Sequence, residues 1–145
     1  MIKMLTSSST LASALRLATP IILAALGGAF TFHTGVFNIA LEGFMLISAF
    51  FSVWGTIVFG SPWIGLITGT LASVLSSLIF GLLVLNLKAD NTVVGLAINL
   101  GTLGLTTWLL EAIFRGRGVV MAESGGFATI KLPIIDQIPY IGEVI

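Results

Sequence analysis

Charged residues are spaced along this chain at wide intervals, and the intervals predict its elements. Residues 17–41 carry no Lys, Arg, Asp or Glu, and neither do 43–87 or 91–110. A helix crosses the ~30 Å hydrocarbon core of a bilayer in about 20 apolar residues. The stretch 43–87 is therefore long enough for two crossings, with Gly60-Ser61-Pro62 as the natural turn between them. Four helices are predicted, at about 14–32, 38–59, 63–87 and 91–114. The runs are long and do not alternate apolar with polar, which favours helix over strand. The fold class is all-α: a polytopic transmembrane helix bundle of about four spans with a polar C-terminal loop, about 115–140. That loop carries Arg115, Arg117, Lys131, Glu123 and Asp136, a Gly125-Gly126 pair and two prolines. The closing "IPYIGEVI" rises again in hydrophobicity and stops at Ile145, so a fragment of a longer protein is expected.

Composition strengthens the membrane reading. The chain is 57% hydrophobic and 8% charged, against roughly 25% charged in a soluble domain. Its mean hydropathy is +1.14. A zero net charge offers nothing to nucleic acid. With no Cys and a single His, thiolate and transition-metal sites are not expected, and no cofactor is implied. No Gly-rich phosphate loop with Lys and no nucleophile–base pair stands out, so no catalytic residues are assigned and the chain does not read as an enzyme. Any ATP spent on transport would be spent by another polypeptide.

The polar and small residues inside the spans then become the candidates. Asn38 and Glu42 stand four apart at the start of the second span, which predicts one shared helix face. At the centre of a lone span an ionised carboxylate costs about 2.5–3.5 kcal/mol or more. Near a helix N-terminus the dipole and the free N–H groups favour it. Asn38 as N-cap with Glu42 in the first turn accounts for part of the motif. The bracketing glycines, Gly35 and Gly43, also suit a broken or re-entrant helix start lining a translocation path. Asn99 lies mid-span, where a buried amide needs a partner on another helix; structural bridging and substrate contact both remain open. Gly65, Gly69, Ser73, Ser77 and Gly81 recur every four residues on the third span, and Gly101 and Gly104 sit on the fourth. Such residues let helix backbones approach closely. His33, before the break, reads as an interfacial imidazole. Trp54, Trp63 and Trp108 lie towards span ends, as an aromatic belt would place them.

Several stretches resemble the membrane subunits of bacterial ABC importers. They are "ATPIILAALGGAFTFHTGVFNIALEGFMLISAFFSVWG", "SPWIGL", "LKADNTVVGLAINLGTLGLTTWLLEAIF" and "LPIIDQIPYIG". The likeness is greatest to the simple-sugar and nucleoside permeases, which are related to the ribose and branched-chain amino-acid permeases. It extends from about residue 18 to the end. Its most specific piece comprises Gly35, Val36, Asn38, Ile39, Leu41, Glu42 and Gly43, followed by "ADNTVVGLAINL". The resemblance implies the N-terminal half of a permease subunit in the bacterial cell (inner) membrane. Its implied partners are a second permease subunit (homo- or heterodimer), cytoplasmic ATP-binding subunits and an external solute-binding protein. The substrate would be a nucleoside or simple sugar.

Orientation divides the two lines of reasoning. A count of Lys and Arg favours an internal N-terminus, with only Lys88 outside. The resemblance implies the reverse: the N-terminus and the 115–140 loop external, the Lys88–Asp90 turn cytoplasmic. Two other functions compete with an importer subunit. One is a small four-helix membrane scaffold or regulator without transport activity; the other is a small oligomeric channel or carrier.

Overall fold

The computed structural model describes residues 8–115 and residue 127. Among them every regular element is helical: α1 (Ser8–His33), α2 (Leu41–Phe59), α3 (Pro62–Gly81) with a π-helical continuation (Leu82–Asn86), and α4 (Asn91–Phe114). Four stretches are long and apolar enough to cross a membrane: Ser13–His33, Leu41–Phe59, Pro62–Asn86 and Asn91–Phe114. The polar loop expected over 115–140 lies outside the described residues, except for Arg115 and Phe127.

The chain divides into two units, which within the described residues are 8–27 and 28–115 with Phe127. The first unit is the larger part of α1. Pro20 sits inside it and has no N–H to give the carbonyl of Arg16, an omission that transmembrane helices tolerate. Leu17, Ile21 and Leu23 are all exposed. An apolar surface of that kind requires lipid or further helices as its solvent.

The second unit holds the end of α1 and the other helices, and each helix stops for a local reason. α1 closes in a Schellman motif. The Val36 N–H donates to the Thr31 carbonyl at 3.1 Å and the Gly35 N–H to the Phe32 carbonyl at 3.0 Å. That turn needs a left-handed residue, and Gly35 supplies it with φ +82°. α2 ends at Gly60, also left-handed at φ +66°, whose N–H returns to Thr56. Ser61 is extended (φ −134°, ψ 123°), as a residue preceding proline prefers to be, and Pro62 opens α3 where its missing N–H is harmless. Past Gly81 the helix widens: the Leu87 N–H reaches back five residues to Leu82, at 3.2 Å. Asp90 caps α4, its carboxylate accepting from the Thr92 and Val93 N–H groups at 2.9 and 3.0 Å.

α2 is the centre of this unit and packs against both α3 and α4. The buried apolar cluster is Ala40, Phe44, Phe80, Val84 and Val94. Phe44 and Phe80 meet edge to face with ring centroids 6.2 Å apart. All five belong to the end of the bundle where α2 begins, α3 passes into the π turn and α4 begins. The core therefore lies beside the break preceding α2.

Candidate functional site

The stretch between Gly35 and Leu41 is irregular, and its backbone groups must find partners outside a helix. Asn38 satisfies one locally: its Oδ1 accepts from the Ala40 N–H at 2.9 Å. This short side-chain turn competes with helix, and it delays the start of α2. The helix begins at Leu41 with Ala40 as its N-cap, and no side-chain cap is made there. Asn38 therefore precedes the helix and does not share a helical face with Glu42, contrary to their four-residue spacing. Glu42 does lie in the first turn of α2, where the helix dipole favours a carboxylate. It is exposed, not turned into the bundle.

Asn99 supplies what the helix start lacks. Its Oδ1 accepts from the Gly43 N–H at 2.8 Å, and its Nδ2 donates to the Ile39 carbonyl at 3.0 Å. Gly43 N–H is one of the donors left without an intrahelical acceptor at any helix N-terminus. Ile39 C=O and Gly43 N–H are the two groups that would bond to each other in a continuous helix. One amide from α4 thus stands in the place of one helical hydrogen bond.

Two glycines allow that approach. A Cβ on Gly43 would lie 2.7 Å from Thr102 Oγ1 and 2.8 Å from Asn99 Oδ1. A Cβ on Gly95 would lie 3.0 Å from the Ile39 side chain and 3.2 Å from the Ala40 nitrogen. The two sequence stretches around Gly35–Gly43 and Asp90–Asn99 are therefore halves of one site. Its chemistry is that of a neutral polar break at a span terminus, with a carboxylate beside it. Among the described residues no three His, Cys, Asp or Glu side chains gather closely enough to hold a metal.

The family described as "Branched-chain amino acid transport system / permease component" matches residues 10–134, which include both halves of the site. The chain belongs to that permease family. The guanosine ABC transporter permease protein NupQ of Bacillus subtilis is 38% identical over 133 residues, covering 88% of this chain and 41% of NupQ. The nucleoside ABC transporter permease protein NupC of Lactococcus lactis is 33% identical over 132 residues, covering 87% of this chain and 41% of NupC. The chain thus spans about two fifths of the length of these relatives. No solved structure matches it. Family membership and four membrane-length apolar helices make this permease an integral, multi-pass membrane protein.

The predicted site residues separate into groups. Gly43 and Asn99 meet, while Asn38 and Glu42 flank the break from opposite sides of the α2 start. Gly35 is exposed and serves the end of α1. Gly65 and Gly69 are buried against α2. A Cβ on Gly65 would meet the Ser52 carbonyl at 2.6 Å, and one on Gly69 the Ser48 carbonyl at 2.6 Å. Ser73 is half-buried, and Ser77 is exposed with its hydroxyl on the Val74 carbonyl. Gly81, Gly101 and Gly104 have nothing within 4 Å of a Cβ position. Sequence reasoning missed Gly95, Thr102 and Thr106, all buried on α4. Gly95, Asn99, Thr102 and Thr106 follow helical spacing, and that stripe was the available signal.

Proposed function

We propose that this chain is the N-terminal half of the transmembrane subunit of an ABC-type importer for nucleosides or simple sugars, and that it forms part of the translocation path. The observation that carries the reading is the polar break before α2, braced by Asn99, in a chain similar to nucleoside permeases. Irregular backbone at the end of a span, braced by a neighbouring helix, suits a place that is buried in protein or lines a watery cavity, which is where a path runs. The proposed partners are a second permease subunit, cytoplasmic ATP-binding subunits and an external solute-binding protein. ATP hydrolysis then belongs to the ATP-binding subunits. The proposed orientation has the N-terminus and the 115–140 loop external and the Lys88–Asp90 turn cytoplasmic.

The test is guanosine uptake by cells carrying the full-length subunit with its ATP-binding and solute-binding partners. Uptake that needs all three supports the reading. Normal uptake without the subunit, or a subunit with no effect beyond its own membrane insertion, supports the scaffold instead. Glu42→Ala is expected to lower uptake more than membrane abundance; equal losses would reduce Glu42 to a helix-start residue. The chain has no cysteine, so Lys88→Cys gives a single labelling site within it, read against the parent subunit as the blank. Reaction of that thiol with an impermeant reagent outside intact cells would reverse the proposed orientation.

A further inference from the structure

We propose that Asn99 is a positioning residue for transport, its amide setting where α2 begins and so where Asn38 and Glu42 stand. This rests on the permease reading above. The bridge demands one donor and one acceptor on a single planar group, because Ile39 offers a carbonyl and Gly43 an N–H. Leu at this position offers neither. Asp offers both only when protonated: its O–H then donates to Ile39 and its carbonyl oxygen accepts from Gly43. Ionised, it presents acceptors alone, and the Ile39 carbonyl loses its donor.

Gly95 and Gly43 hold the α2 start against α4, so the released groups have little room to find other partners. If α4 withdraws from α2, Ile39 C=O and Gly43 N–H are free to bond to each other and lengthen α2. The amide thus holds the start of α2 in one of two available forms. Bistable elements of this kind are what packed helices use to switch.

The experiment compares the parent full-length subunit with Asn99→Asp and Asn99→Leu across pH. Other titratable or charged groups in this unit are His33 at the end of α1, Glu42 on α2, Lys88 and Asp90 before α4, Glu111 on α4 and Arg115 at its end; α3 and the π turn carry none. The parent, measured at each pH, corrects for them. Asn99→Leu removes both bonds of the bridge and is expected to lower guanosine uptake per folded subunit by at least roughly tenfold, the factor that even one unsatisfied buried group carries. Asn99→Asp is expected to lose uptake at high pH, where a carboxylate faces the Ile39 carbonyl in place of a donor, and to recover towards the parent as pH falls. The melting temperature of the purified Asn99→Asp subunit should close on that of the parent over the same range. Melting that follows pH while uptake stays at the parent level throughout would make Asn99 structural only and overturn the proposal. A melting difference that is flat with pH would remove the bridge itself. No uptake of guanosine, other nucleosides or simple sugars by the parent, with melting still pH-dependent, would defeat the transport role and leave the bridge.

Discussion

α2 has two seams, and glycine makes both of them close. Against α3, Gly65 and Gly69 face the Ser52 and Ser48 carbonyls of α2, and Gly55 returns the arrangement by facing Thr68. Of the hydroxyls there, Thr56 donates to the Ser52 carbonyl of its own helix, and Thr68 donates both to the Gly65 carbonyl of its own helix and to the Phe51 carbonyl across the seam, each at 3.0 Å. Against α4 the approach is made once, at Gly43 and Gly95, around the single amide of Asn99. Repetition gives the first seam its strength, since every contact is a small gain in packing. The second seam depends on one group with two bonds, so it fixes a geometry. The first is what any helix pair in lipid needs; the second is what a site needs.

The most damaging way to break the repeating seam is Gly69→Leu. Even the first carbon of the new side chain lands on the Ser48 carbonyl and the Ser52 hydroxyl. Overpacking usually costs about 1–3 kcal/mol, more when nothing can yield, and a helix-backbone carbonyl yields little. Loss of folded subunit from the membrane and from size-exclusion profiles is expected. A Gly69→Leu protein that melts like the parent would mean that α2 and α3 do not touch there.

Part of this was readable in the chain. The four spans follow from the charge-free intervals, because transfer into lipid punishes charge whatever the fold. Gly65 and Gly69 were readable as a pair, since four-residue spacing repeats on one helix face. Their partners on α2 were not, because Ser48, Ser52 and Thr56 are ordinary residues until α3 is laid against them. α2 begins at Leu41, three residues after the start that the charge-free interval predicts. Spacing alone cannot show that the Asn38 side chain takes the Ala40 N–H and favours a turn. Gly35 looked like half of a helix break around a path; its positive φ belongs to the end of α1. For Asn99 the sequence leaves bridging and substrate contact both open, and it cannot name the target of a bridge, because backbone groups carry no signature in sequence.

The single-amide seam is probed by Gly43→Ala. The added methyl would lie within 2.8 Å of Asn99 Oδ1 and Thr102 Oγ1. Both are side-chain atoms and can retreat, whereas the Asn99 Cα at 3.2 Å belongs to the α4 backbone; when the Asn99 amide retreats it leaves the Gly43 N–H. A loss of about 1–3 kcal/mol is expected in the full-length subunit, the penalty of one unsatisfied buried group. Because Gly43→Ala and Asn99→Leu would remove the same bond, their effects on melting should fall well short of adding. Full additivity would separate the glycine from the amide and undo the idea of one site. A smaller effect, about 0.5–1.5 kcal/mol, is expected for Thr68→Val, which removes the one seam hydroxyl that bonds across to α2.

The smallest effect sharpens the comparison by asking whether a third glycine seam exists. Gly101 and Gly104 are exposed on α4, and a methyl added to either meets nothing within 4 Å. Their neighbours Leu100 and Leu103 are exposed as well. In a helix interior alanine is favoured over glycine by about 1 kcal/mol. Gly101→Ala is therefore expected to raise the melting temperature of the purified subunit slightly, where Gly69→Leu abolishes folding. The same substitution read in the assembled membrane complex asks a different question. If lipid covers this face, assembly is unchanged and the gain persists. If another helix packs on it as α3 packs on α2, the methyl intrudes and the gain becomes a loss of assembly. The sign of that one change tells whether glycine is kept here for closeness, as at Gly65, or merely tolerated.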